Sequence, residues 1–115
     1  MNDNIHRRTD RTPDPFYRDK RWKRMRRAML ARAGWMCEEC RRYGKRADAE
    51  AVHHVFPKSE FPEYQWMAWN LMCLCKTCHD AMHDRITNAL TDRGVSVLRR
   101  TARRQGVPIP MRYRE

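Results

Sequence analysis

Two Cys-x-x-Cys pairs, Cys37 with Cys40 and Cys75 with Cys78, constrain this chain more than any other feature. Zn²⁺ favours tetrahedral thiolate coordination, and a two-residue spacing lets both sulfurs of one turn face the same ion. With all four positions filled by protein, such an ion is structural. Its binding energy is then folding energy, so the metal-free chain is expected to be partly or wholly unfolded. The 34 residues between Cys40 and Cys75 would be closed into a loop. Cys73 is left over. It alternates with Leu71 and Cys75 and is expected as a small buried apolar residue, although its nearness to Cys75 makes it the rival ligand.

A chain of 115 residues, with 41% hydrophobic and 34% charged residues, forms one small domain with a modest core, and a domain of that size usually needs such a staple. The first residues, Met1 to Arg8, lack the apolar run of a signal peptide, and no stretch reaches the length of a membrane span. A cytoplasmic location is expected, without membrane attachment. Thiols there stay reduced, which favours metal binding over disulfides.

The net charge of +11 is unevenly distributed. Residues 1–36 carry 11 basic against 4 acidic side chains, residues 37–90 carry 7 against 8, and residues 91–115 carry 7 against 2. Basic flanks around a nearly neutral centre are an electrostatic footprint for nucleic acid, because each Lys or Arg that meets a phosphate releases counterions. A soluble basic surface is the plainer alternative.

Three segments follow. Residues 1–15 hold almost nothing apolar, and Thr12-Pro13-Asp14-Pro15 argues against a helix, so a flexible basic arm is expected over residues 1–17. From Arg18 to Ala33, Trp22, Met25, Met29 and Ala33 recur at helical spacing, with Asp19 as the N-cap and Gly34 past the end. The other face carries Lys20, Arg21, Lys23, Arg24, Arg27 and Arg32. Trp35 to Cys40 is expected as a tight turn, 41–50 as a polar loop, 51–56 as a strand ended by Pro57, and 71–74 as a second short strand. Trp66, Met67 and Trp69 look like packing residues. A helix is expected over about 78–89 with Met82 and Ile86 inward, broken by Gly94. A last helix over 95–105, with Arg99, Arg100, Arg103 and Arg104, belongs to a basic C-terminal segment, 91–115, whose final residues are expected to be loose.

Four of the five histidines cluster around the second Cys pair: His53 and His54 before Pro57, then His79 and His83. On a strand, His53 and His54 point to opposite sides. His79 and His83, four apart on the expected helix, share a face. A lone histidine is more often structural, but four around a zinc-pinned turn suggest a site.

The order Cys37-x-x-Cys40, His53-His54 with Pro57, Asn70-Leu71, Leu74-Cys75-x-x-Cys78-His79 and His83 resembles the HNH endonucleases, in particular the small four-cysteine type encoded by bacteriophages. The resemblance covers about residues 18–83. It implies an α+β fold: a zinc-stapled ββα-metal (His-Me finger) unit within residues 18–90, preceded by a basic amphipathic helix and flanked by basic tails. It implies a DNA endonuclease that hydrolyses phosphodiester bonds, with His54 as general base and Asn70 orienting it. His53 and His79 correspond to ligands of a catalytic divalent ion, and His83 to a further ligand or phosphate contact. Imidazole suits Zn²⁺, Ni²⁺ or Mn²⁺, while family members commonly use Mg²⁺. A monomer is expected, and the resemblance points weakly to a phage packaging partner such as a terminase. Two alternatives stand beside this reading: a non-catalytic zinc-stapled DNA-binding module, and a nuclease acting mainly on RNA or branched substrates.

Overall fold

The computed structural model describes residues 14–115; the part of the expected arm that precedes Asp14 lies outside them. A 3₁₀ turn, Pro15–Arg18, leads into helix α1, Lys20–Arg32. Next come helix α2 at Glu38–Arg42, strands β1 at Ala51–His54 and β2 at Leu71–Leu74, helix α3 at Lys76–Asp80 and helix α4 at Asp92–Gln105. Among the described residues no helix is long and apolar enough to cross a membrane.

Helix α1 begins where expected. The Asp19 carboxylate accepts from the Arg21 N–H, satisfying one of the unpaired donors of the first turn. It ends in a Schellman arrangement, with the Gly34 N–H bonded to Ala31 O, the Trp35 N–H to Leu30 O, and Gly34 at φ +65°. Trp22, Met29 and Leu30 are buried, while Met25 and Ala33 pack at the edge. Leu30, absent from the expected stripe, is thus more deeply seated than Ala33.

The strands pair antiparallel, with Val52 opposite Cys73, His53 opposite Met72 and His54 opposite Leu71. Strand alternation divides the core in two. Val52, Leu71 and Cys73 face α1, with Trp22, Met29 and Leu30. Leu74, with Val55 and Phe56 beyond the strand end, packs on Met82 and on Val97, Leu98 and Ala102 of α4. The ring of Phe56 lies edge-on to Phe61, Tyr64 and Trp69. Trp66 and Trp69 are therefore packing residues, whereas Met67 is largely exposed.

Four expectations are corrected. Residues 14–17 are not a loose arm: Asp14 caps the 3₁₀ turn, Pro15 occupies its first position, and Phe16 packs on Trp22 and Trp66. The first Cys pair sits on a short helix, α2, and not only on a turn. The helix expected over 78–89 stops at Asp80, because the carbonyls of Ala81 and Met82 accept from the Thr91 hydroxyl and N–H. The Ile86 and Thr87 N–H groups turn instead to the Asp84 carboxylate. Met82 is buried as expected, but Ile86 is 91% exposed. Finally, α4 starts at Asp92, capped by Thr91, so Gly94 lies inside it. A Cβ on Gly94 would lie 2.4 Å from the Met82 carbonyl oxygen, so the helix can approach this loop only with glycine there.

The C-terminal segment is equally built in. Arg100 and Arg93 meet the buried Glu39 carboxylate, Arg99 donates to the Tyr113 carbonyl, Arg112 pairs with Glu60, and Arg103 with Glu115. Much of the charge expected to face a partner is spent internally.

Candidate active site

The four cysteines converge. Cys37 and Cys75 are the N-caps of α2 and α3, and each sulfur accepts the N–H of the second cysteine of its pair, from Cys40 at 3.4 Å and Cys78 at 3.5 Å. The Cys40 sulfur lies 3.9 Å from that of Cys75 and 3.7 Å from that of Cys78. Zinc–sulfur bonds of about 2.3 Å at the tetrahedral angle require sulfurs about 3.8 Å apart. These separations fit one ion and are far too long for a disulfide. The N–H pointing from Cys78 at the Cys75 sulfur lowers the Cys75 pKa, whereas the contact with Cys37 raises that of Cys40 and burial raises that of Cys78. Cys73 does not join the cluster. Burial, and then the Glu38 carboxylate, push its thiol up to about 12, so it stays protonated as a small buried residue.

The middle residues of the first pair fasten it in two directions. Glu38 accepts the Cys73 N–H at 2.8 Å, tying α2 to β2, and Glu39 accepts from Arg100 at 2.7 Å, tying it to α4. Neither role was foreseen; both glutamates looked like turn residues, and their partners are 35 and 61 residues away.

A second group forms on the opposite strand face from α1. One ring nitrogen each of His53, His79 and His83 lies within 4.8 Å of the others. His53 is buried, and neither of its ring nitrogens has a hydrogen-bond partner. Burial, and then the neighbouring histidines, holds its pKa well below the ordinary value; burial lowers His79 and His83 as well. Three neutral imidazoles, one with buried and unsatisfied nitrogens, are a donor set suited to a divalent cation. His79 extends from α3. His83 is held by a single antiparallel bridge to Leu90 and by the Thr91 contacts just described, so α4 positions a site residue. A cleft of about 500 Å³ opens here, lined by Lys76, His79, Asp80, His83, Asp84, Arg85 and Asn88.

His54 points the other way, as strand alternation requires. Its ring stacks on Trp22 and meets Phe16 and Tyr17 edge-on, leaving it 6% exposed. Its Nε2 lies 3.1 Å from the Gln65 carbonyl, an acceptor, so Nε2 carries the proton and Nδ1 keeps its lone pair in the neutral ring. Burial lowers the His54 pKa, with the Gln65 carbonyl acting in the opposite sense. Asn70 does not bond His54. Its Oδ1 accepts from the Phe56 N–H, and its Nδ2 donates to the carbonyls of Phe56 and Tyr64. It therefore acts on His54 one step removed, by fixing the loop whose next residue, Gln65, holds the imidazole. Gln65, Phe16 and Trp22 had no expected place in the site; only the periodicity that put Trp22 inward hinted at any of them.

The fold, a two-stranded antiparallel unit followed by a helix and pinned by a four-cysteine cluster, defines a small nuclease class. The family model described as HNH endonuclease matches residues 37–85. The crystal structure of a deep-sea thermophilic bacteriophage GVE2 HNH endonuclease with manganese ion is 30% identical to the chain. The match covers 69% of this chain and 88% of that one, with a TM-score of 0.58. No curated protein matches. The chain belongs to the HNH endonuclease family and is a nuclease.

Proposed function

We propose that the chain is a metal-dependent DNA endonuclease in which His54 is the general base and His53, His79 and His83 hold a divalent ion, while Cys37, Cys40, Cys75 and Cys78 hold a structural Zn²⁺. The observation that carries this reading is His53, whose two ring nitrogens are buried without a partner beside two further imidazoles. A buried polar group in that condition costs stability unless something satisfies it. Mn²⁺, with which the GVE2 enzyme was crystallised, is the first ion to test, followed by Mg²⁺, Ni²⁺ and Zn²⁺.

A bound divalent ion would supply Lewis acidity toward the scissile phosphate and its departing 3′ oxygen. The chain's own residues do the rest. Burial keeps His54 neutral at physiological pH, and Gln65 fixes the tautomer whose Nδ1 can take a proton from an attacking water. Arg85, beside His79 and His83, is the cation at the cleft without an ion pair among the described residues and would meet an entering phosphodiester, while Lys76 there is paired with Asp80 at 2.7 Å. The exposed basic face of α1, including Lys20, Lys23, Arg24 and Arg27, offers the phosphate-contacting surface.

The test is cleavage of supercoiled plasmid with and without added divalent metal. His54→Ala should cut about 10² to 10⁴ times more slowly with DNA affinity nearly unchanged. His79→Ala should also fail, but recover partly at higher metal concentration. Wild-type activity in His54→Ala would place the base elsewhere. A wild-type protein that binds DNA but cuts no duplex, single-stranded or branched substrate would be a binding module.

A further inference from the structure

We propose that the cleft between the Pro15–Arg18 turn and the end of α1 is a stacking subsite for an unpaired nucleobase of the substrate, with Trp35 as its platform. The inference rests on the nuclease reading above. The cleft, of about 500 Å³, is lined by Tyr17, Trp22, Lys23, Arg26, Arg27 and Trp35. Three aromatic rings and three cations meet there without one acid. Trp22 is the buried wall, while Trp35 is 51% and Tyr17 45% exposed.

The backbone at Trp35 is the telling feature. The cap of α1 needs a left-handed residue at Gly34 only, yet Trp35 follows it at φ +59°. A residue bearing a Cβ is disfavoured there, and the indole gains little burial in return. The Trp35 carbonyl accepts the Ala49 N–H at 2.9 Å and Met36 bridges Asp48, which fixes the backbone here, but that pairing asks for no large ring and the core does not bury one. Strained residues of this kind gather at binding sites.

Position and charge define the occupant. Trp22 lines this cleft and stacks on His54 with ring centroids 5.2 Å apart, so the subsite begins one ring away from the proposed base. The side chains of Lys23 and Arg27 are exposed and have no hydrogen-bond or ion-pair partner among the described residues, whereas the Arg26 guanidinium donates to the Glu50 carbonyl at 2.8 Å. A flat ring face beside two uncommitted cations suits a base stacked on Trp35 with its phosphate at Lys23 and Arg27. Every base has such a face, so the subsite would accept any sequence. Paired bases inside a duplex cannot fill it; an overhang or a strand freed at a nick can.

The experiment uses the full chain with its zinc and no other divalent metal added, so that the nucleic acid stays intact. Fluorescence anisotropy would compare a blunt duplex with one of the same sequence carrying a short single-stranded overhang. Trp35→Gly keeps a backbone suited to positive φ and removes the ring. It should weaken overhang binding about tenfold or more while leaving blunt binding within about twofold, and Trp35→Phe should retain most of the preference. Trp35→Gly that binds the overhang like wild type, or that loses both DNAs in the same proportion, overturns the subsite and leaves the nuclease reading standing. Wild-type protein that binds neither DNA overturns the nuclease reading itself and the subsite with it.

Discussion

Asn70 grips the main chain of Phe56 from both sides, accepting its N–H at 2.7 Å and donating to its carbonyl at 3.2 Å. The amide is fully buried, and its second N–H contact, to the Tyr64 carbonyl, joins the end of β1 to the loop that supplies Gln65. Asn70→Ala should leave buried backbone groups unpaired, at about 1–3 kcal/mol each. Asn70→Asp should keep the acceptor and lose the donor. Thermal melting should rank both below wild type, and cleavage should fall in both because the Gln65 carbonyl no longer holds His54. Variants as stable as wild type would remove this clamp from the account.

The four-thiolate site is tested by metal content. Wild-type protein should carry about one tightly held zinc per chain, and Cys40→Ser should lose it together with cooperative unfolding. Cys73→Ser should keep the zinc, since Cys73 stands outside the cluster. Zinc retained in Cys40→Ser would contradict the ligand set.

Glu39 and Arg100 are an asymmetric pair to cut. The Glu39 side chain is 1% exposed and that of Arg100 22%. Arg100→Met leaves a carboxylate buried with only the longer 3.7 Å contact to Arg93 and should cost about 3–5 kcal/mol. The double variant Glu39→Gln/Arg100→Met should recover much of that loss. Chemical denaturation of wild type, each single variant and the double decides it, and additive effects would show that the pair is uncoupled.

Gly94→Ala places a methyl group against the Met82 carbonyl, a clash expected to cost about 1–3 kcal/mol. Because the same carbonyl anchors the turn that carries His83, the variant should also weaken binding of the divalent ion proposed for the three histidines. Calorimetric titration with Mn²⁺ checks this, and unchanged affinity would uncouple α4 from the site.

Acid should weaken the fold through the three histidines. Burial lowers the pKa of His53, His79 and His83. Below the unfolded value of about 6.5 the unfolded chain therefore takes up protons that the folded chain refuses. The stability they leave intact above about pH 6.5 is lost as pH falls toward their folded values. Urea midpoints should drop more steeply between about pH 7 and pH 5 in wild type than in His53→Asn. Equal slopes would assign the acid sensitivity elsewhere.

What could be read from the sequence was local. Asp19 and Gly34 bracketed α1 because caps act within a few residues, and the opposed directions of His53 and His54 follow from the strand repeat alone. The Cys pairs announced their convergence through ligand chemistry. The failures came from distant partners. Nothing near Ile86 signals that Thr91 will capture the carbonyls a longer helix would have used. Arg99, Arg100 and Arg103 looked like a phosphate-facing patch because their partners, Tyr113, Glu39 and Glu115, become neighbours only after folding. Asn70 was placed in the site by resemblance, but its grip on Phe56 depends on a loop conformation that no local pattern encodes.

The close approach of Gly94 to Met82 also bears on synthesis. A growing chain that has reached His83 already carries both Cys pairs and all three histidines, yet it lacks Thr91 and the helix that set the direction of His83. On the ribosome the two Cys pairs can meet first, while the three-histidine group waits for Thr91 and the 14-residue helix behind it, about four turns, to emerge. A nuclease made in this order would gather its cysteines before it could close its core or cut.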